Sequence, residues 1–391
     1  MTASVESIAA LDVQRVATAL GLAADERSAE LDSLCRLPDD LYREAVQTGL
    51  FRTLVPRDMG GTGDDPLTWF RVGIELARHE PSLGWVVTQG AAELGWIAAG
   101  ADPTWAKQVL ADPLGASAST VAGTGVLVLD GDAPTLEGRW GFDTGAHGAT
   151  WIGGLAIVAG ETTADGLPVL RWGWVPADRA QILDDWDPSG LRGTGSSSIV
   201  IERQPIRSEW TFSPFDVTDL DRGPHRVLVG NGLWPIATAA AATQLGAARR
   251  AIDEARAIVA RKAPPPTFEP LARNAAVQRA LVRAEGLWRA SSASVEHEIG
   301  AMWDEAVRFG ELSRDQRVHL FSANLTAAEH AALIVASMCE ITGTASVERR
   351  HPLARARRDV EALAGHVSIS GATIELAAQV SLGLIDADIR V

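Results

Sequence analysis

A chain of 391 residues is too long for one small core and implies two or three domains or subdomains. Its 46% hydrophobic and 22% charged residues exclude disorder of the whole chain, and a net charge of −15 argues against a nucleic-acid partner. The two cysteines, Cys35 and Cys339, stand far apart with no Cys-x-x-Cys, as reduced thiols of a cytoplasmic protein do, so neither a disulfide frame nor a zinc site is expected.

The amino terminus has no basic segment leading into a long apolar one, and no stretch reaches about 18 uninterrupted apolar residues, so a soluble cytoplasmic protein without a membrane partner is expected. The first third reads as helix. In "PDDLYREAVQTGLF", Leu41, Ala45 and Leu50 fall at near-helical spacing, with Asp39 and Asp40 where an N-cap belongs. After the loop "VPRDMGGTGDD" a second helix opens on Pro66, at the position where a missing N–H matters least. A third, "SLGWVVTQGAAELGWIAAG", is apolar nearly all round, the mark of a buried helix.

Near residue 113 the pattern changes. "GVLVLDGDAPTLEGRWGF", "WIGGLAIVAG", "LPVLRWGWVP" and "SSSIVIERQPI" are short apolar or alternating runs parted by Gly, Asp and Pro, as strands are. Beyond Pro224 four apolar stripes follow: Leu245, Ala248, Ile252, Ala255 and Val259; Val277, Leu281, Ala284, Trp288 and Val295; Phe321, Leu325, Ala328, Ala332, Val335 and Cys339; and Val360, Leu363, Val367, Ser370 and Ile374. They predict four long helices in an antiparallel bundle. The reading is α+β in three parts: an all-α domain over 1–112, a β-barrel-like domain over 113–222 and a four-helix bundle over 223–391.

Generic motifs carry little. "GASAS" (Gly115–Ser119) fails the G-x-S-x-G pattern, and "GTGSSS" (Gly193–Ser198) lacks the Gly-Lys-Ser/Thr and following helix of a phosphate loop. The eight histidines show no H-x-x-x-H or H-x-E pattern, so no metal is expected. The stretch "LEGRWGFDTGAHGATWIGG" (Leu136–Gly154) sets bulky rings among bare backbone. Either a turn-rich β structure packs on itself there, or something large and flat lies against it.

Four segments in order, "LFRTLVPRDMGGTG", "LEGRWGFDTGAHGATW", "GLRGTGSSSIVIERQPI" and the R-x-x-R-D of "RARRD", resemble motifs of the acyl-CoA dehydrogenase superfamily, with matching order and spacing over nearly the whole chain. Within that superfamily the chain is similar to the two-component flavin-dependent monooxygenases, such as p-hydroxyphenylacetate hydroxylases, dibenzothiophene monooxygenases and amino-sugar nitrososynthases. "SLGWV", "EGRWGFDTG" and a His seven residues after the R-x-x-R-D aspartate carry that likeness. Where many dehydrogenases place a proton-abstracting Glu, this chain has Val367 beside His366; Glu254 lies where others carry theirs. Monooxygenase relatives often have His in the third helix at the place of Glu93.

The resemblance implies the acyl-CoA dehydrogenase fold, a homotetramer, and a monooxygenase fed with reduced FMN or FAD, FMN preferred, by a separate flavin reductase. Reaction with O₂ would give a flavin C4a-hydroperoxide that hydroxylates or N-oxidises a small aromatic, polycyclic or amino-sugar-like substrate. It implies that Trp140 and Phe142 form a dry wall against the isoalloxazine and that Thr144 bonds flavin N5 or the oxidant. His366, at the edge of its helical stripe, would do acid–base work. Trp85 and Glu93 would shape the substrate pocket. Arg273, the backbone at Ser119 and Thr120, and Thr342, Gly343 and Thr344 of a neighbouring subunit would hold the flavin phosphate; Arg358 and Asp359 read as structural. Two alternatives stay open: a dehydrogenase-type flavin oxidoreductase using Glu254, or a degenerate, non-catalytic family member serving as a partner subunit.

Overall fold

The structure, a computed structural model, describes residues 13–63, 65–129, 133–163, 166–215, 223–230, 234–266 and 268–385. Its helices α1 (Val13–Glu26), α2 (Ser28–Leu34), α3 (Asp39–Gln47), α4 (Pro66–His79), α5 (Pro81–Gly100) and α6 (Pro103–Ala111) precede the first strand. The last three each open on Pro, and the side chains of Asp65, Glu80 and Asp102 accept from the free N–H groups of the first turn. Asp39 and Asp40 are not the cap of α3. They lie in its first turn, behind Pro38, where a carboxylate favours the positive end of the helix dipole. Every residue of α5 is buried, as its all-round apolar sequence requires. Small residues let neighbours close on it: a Cβ on Gly90 would lie 2.3 Å from the Phe51 ring.

Strands β1 (Ser117–Thr120), β2 (Gly123–Val128), β3 (Thr135–Asp143), β4 (Trp151–Thr162), β5 (Pro168–Pro176), β6 (Gln181–Ile182), β7 (Ser197–Pro205) and β8 (Thr211–Phe212) follow. They form one mixed sheet in the order β6-β7-β3-β2-β4-β5-β8, with β1 running parallel to the start of β4 and β2 parallel to its middle. No pairing of β6 with β8 closes it among the described residues. Under the sheet lies a chain of rings, Trp96–Trp172–Trp174–Trp105–Trp151–Trp210, with successive centroids 5.7, 5.6, 5.4, 5.3 and 5.0 Å apart. Offset and edge contacts of this kind fill a core.

Trp140 belongs to that interior. It is fully buried, and its Nε1–H donates to Leu155 O at 2.8 Å. Gly125, Gly138 and Gly154 lie against its ring; a Cβ on any of them would come within 2.0, 2.5 and 2.4 Å of it. The bare backbone around Trp140 therefore makes room for the protein's own tryptophan, and the expected wall against a flavin does not include it.

Helices α7 (Trp234–Arg261), α8 (Ala275–Phe309), α9 (Arg314–Thr342), α10 (Pro352–Ala364) and α11 (Gly371–Ser381) close the molecule. α7 packs on α8, α9 and α10, α9 on α8 and α10, and α11 on α9. By length and composition Arg314–Ser346 is apolar enough to cross a membrane, but in the bundle its inner side faces these neighbours. The fourth expected stripe is not one helix. α10 ends at Ala364, a 3-10 turn spans Val367–Ile369, and α11 starts anew. His366 takes an extended conformation and accepts the Ser368 N–H on its side chain, so a local cap competes with helix continuation and wins. Val367, expected inside, is 55% exposed.

Candidate active site

A cavity of about 340 Å³ opens where the sheet, α5 and the α10–α11 turn meet. α5 presents Trp85, Gln89 and Trp96, one stripe at helical spacing. β1 presents Ser119 and Thr120; the end of β3 presents Phe142 and Thr144; the turn before β7 presents Leu191, Thr194 and Ser196; and the break after α10 presents His366. Trp172 and Trp186 add two more rings. Among the described residues no Asp, Glu, Lys or Arg lines the cavity.

Phe142 reaches the cavity because β3 is irregular. Strict alternation would send Trp140 and Phe142 to one face. Between Trp140 and Asp143 the register with β7 shifts, and Phe142 takes φ 60°. The bulge turns Phe142 outward, 66% exposed, edge-on to Trp186 at 5.9 Å, and turns Asp143 inward.

The hydroxyl groups form a directed chain. Thr194 donates to Leu191 O at 2.9 Å, so its oxygen accepts from Ser196 at 2.8 Å. Ser196 in turn accepts from Thr144 at 2.8 Å, and Thr144 accepts the Trp85 Nε1–H at 3.0 Å. Each hydroxyl has one hydrogen, so every direction follows from the first. Thr144 Oγ1 is left with a lone pair and no hydrogen to give. His366 is its counterpart. Its Nδ1 accepts the Ser368 N–H at 3.2 Å and lies 2.8 Å from Ser368 Oγ, which assigns the ring hydrogen to Nε2. Burial pushes the imidazole down to about 4, so it is a neutral donor near pH 7. Its ring stands edge-on to Trp85 at 5.2 Å. Gln89 Nε2 is buried without a partner, a donor waiting for a ligand, and Ser119 Oγ completes no hydrogen bond of full geometry but faces Glu93 behind the wall.

The structure thus brings Trp85, Ser119, Thr120, Phe142, Thr144 and His366 to one cavity. It does not bring the rest. Trp140 is in the sheet core. Glu93, expected in the substrate pocket, lies a layer behind the wall, where burial, with Asp143 adding to it, pushes its carboxyl well above the usual range. Arg273 is exposed and faces Glu269 at 3.6 Å. Thr342 turns its hydroxyl onto Met338 O at the end of α9, and Gly343 and Thr344 follow it in a 3-10 turn; none of the three lines this chain's own cavity, whereas their expected place is at the site of a neighbouring subunit. Glu254, the base of the dehydrogenase alternative, pairs with Arg250 at 2.8 Å away from the cavity. Arg358 bonds the carbonyls of Ala354 and Arg349, while Asp359 accepts Leu191 N–H at 2.6 Å, tying α10 to the cavity turn. Gln89, Trp96, Thr194 and Ser196 escaped the sequence reading, although the spacing of Trp85, Gln89 and Trp96 on one helix was visible in it.

A helical part, a mixed sheet and a helical bundle around a neutral, ring-lined cavity define a flavoprotein of the acyl-CoA dehydrogenase type. The models of the acyl-CoA dehydrogenase N-terminal and C-terminal domains match residues 14–112 and 238–371, and the chain belongs to this family. Indole-3-acetate monooxygenase of Acinetobacter baumannii is 23% identical over 93% of this chain and 96% of its own. The flavin-dependent monooxygenase oxygenase subunit HsaA of Rhodococcus jostii is 32% identical over 45% of this chain and 46% of its own. The fold is that of XiaF from Streptomyces sp., solved in complex with FADH2 and glycerol, at TM-score 0.86 and 22% identity, covering 98% of this chain and 97% of that one.

Proposed function

We propose that this chain is the oxygenase component of a two-component flavin-dependent monooxygenase acting on a small, neutral aromatic substrate. The observation that carries the reading is the directed hydroxyl chain ending on a free acceptor at Thr144, with the neutral donor His366 in the same ring-lined cavity. The N5–H of a reduced flavin needs such an acceptor, and its flat ring suits walls of Phe142, Trp85 and Trp186. When bound, reduced flavin supplies the electrons that activate O₂. The chain's own residues keep the reaction dry with four tryptophans and Phe142, orient the ring through Thr144, and offer His366 Nε2–H as a hydrogen-bond donor to the reacting oxygen. A substrate carboxylate would be buried here without a counter-charge, which is costly, so the substrate is uncharged. Gln89 Nε2 is the donor for its hydrogen-bond acceptor.

Of the two flavins we favour FMN, as the resemblance of the sequence implies. A separate reductase is the partner, as the oxygenase-subunit relative supports. A cytoplasmic homotetramer is the assembly we expect: Val282, Phe309, Leu333 and Leu382 expose apolar side chains on α8, α9 and the end of α11. Light scattering of the purified protein tests it. The function is tested by mixing anaerobically reduced FMN and protein with ¹⁸O₂ and indole. A protein-dependent, singly ¹⁸O-labelled aromatic product is expected; quantitative H₂O₂ with no labelled product overturns the reading.

A further inference from the structure

Behind the cavity wall two buried acids lie within electrostatic reach of one another. Glu93 stands on α5, one turn beyond Gln89, and Asp143 ends β3; they are 2% and 0% exposed. The β3 bulge is what turns Asp143 inward. Neither Asp143 oxygen nor Glu93 Oε2 has a hydrogen-bond partner, and among the described residues no cation acts on either acid. The groups facing them are the Tyr42 hydroxyl from α3 and Ser117 and Ser119 from β1. Ser117 Oγ accepts the Trp174 Nε1–H at 3.1 Å, which leaves its own hydrogen for Glu93. Ser119 belongs to both compartments. It lines the cavity, its N–H and hydroxyl face Glu93, and the hydroxyl completes no hydrogen bond at rest.

Two ionised carboxylates cannot sit together in this interior, and burial pushes both well above the usual carboxylate range. One retained proton answers this: the pair then buries one carboxylate charge instead of two. Oxygen insertion leaves one atom of O₂ as water and so consumes a proton. Among the described lining residues His366 is the one side chain that titrates near neutrality in ordinary surroundings, and it carries no extra proton near pH 7.

We propose that Glu93 and Asp143 form a proton-holding dyad that serves the cavity through the Ser119 hydroxyl. Ser119 gives its hydrogen to an acceptor in the cavity as its oxygen takes the proton from Glu93. One dyad O–H bond breaks, one O–H bond forms in the cavity, and the dyad takes its proton back from solvent between turnovers. Glu93 and Asp143 touch nothing in the cavity; they are positioning residues acting through Ser119. The destination of the proton rests on the monooxygenase reading, whereas its storage does not.

Infrared spectra of the flavin-free protein at pH 7 test storage. The C=O stretch of a protonated carboxylic acid is expected that changes in both E93Q and D143N and persists in D359N, which removes only the separate contribution of Asp359. No band sensitive to the dyad variants overturns the proposal. Turnover with supplied reduced FMN and indole tests delivery. S119A is expected to keep the band and to slow turnover by about tenfold to a hundredfold on the alkaline side, with the KM for reduced FMN unchanged. A wild-type pH profile in both S119A and E93Q overturns delivery. Where E93Q or D143N does not fold, S119A still decides. If even the wild type forms no labelled product, the oxygenase reading fails, and the band alone supports or overturns the dyad.

Discussion

At the scale of single residues, burial sets the chemistry. His366 falls from an ordinary 6.5 to about 4 because its cationic form is poorly solvated. Its contribution to stability is present above pH 6.5, is lost as the unfolded chain takes up the proton first, and is gone once pH falls through about 4. That loss amounts to about 3 kcal/mol. Urea titrations between pH 7 and 4 are expected to show H366Q losing less stability than the wild type by roughly this amount, while H366A lowers kcat by about a hundredfold or more. Asp359 shifts the other way, up to about 7, through burial and then the neighbouring Glu80, partly offset by Arg355. The folded state holds a proton there that the unfolded chain releases above 3.8, so this contribution is present at low pH and lost as pH rises through 7. D359N, whose amide oxygen still accepts Leu191 N–H, is expected to be more stable than the wild type at pH 8 in calorimetry. Q89L removes a buried donor that has no protein partner. Its melting temperature is expected to hold, while affinity for a substrate bearing an acceptor falls by about 1 kcal/mol, read as a rise in KM.

At the scale of elements, two irregularities build the site. The β3 bulge exchanges the sides of Phe142 and Asp143, and the break after α10 places His366 at the cavity instead of inside a helix. Neither feature shows in periodicity, because both replace the regular pattern by a local one. The glycines of Leu136–Gly154 tell the same story from the core: those touching Trp140 are spacers for its ring. G154A would set a Cβ 2.4 Å from Trp140 Cε2. It is expected to cost about 1–3 kcal/mol by overpacking, seen as a lower urea midpoint with an unchanged m-value, with flavin affinity in the folded protein preserved.

At the scale of the whole molecule, the cavity exists because three parts close on it, and a ligand that fills it holds them together. Reduced FMN at a hundred times its Kd is expected to add about 2.7 kcal/mol of stability, measured anaerobically as a rise in Tm. No such rise would contradict the cofactor assignment.

The sequence by itself determined the order of helices, strands and bundle, the burial of α5 and of the inner stripes of α7–α9, since these follow from apolar spacing along one element. Motif likeness placed Thr144, Phe142, Trp85 and His366 as site candidates, and all four line the cavity. Tertiary structure alone decided that Trp140 packs against its own glycines and that Glu93 and Asp143 are buried behind the wall within electrostatic reach of each other. It also decided that Glu254 spends its charge on Arg250 and that the hydroxyl chain runs toward Leu191. Those outcomes depend on which side chains from distant segments share a space and on where each hydrogen must point, and spacing along one chain encodes neither.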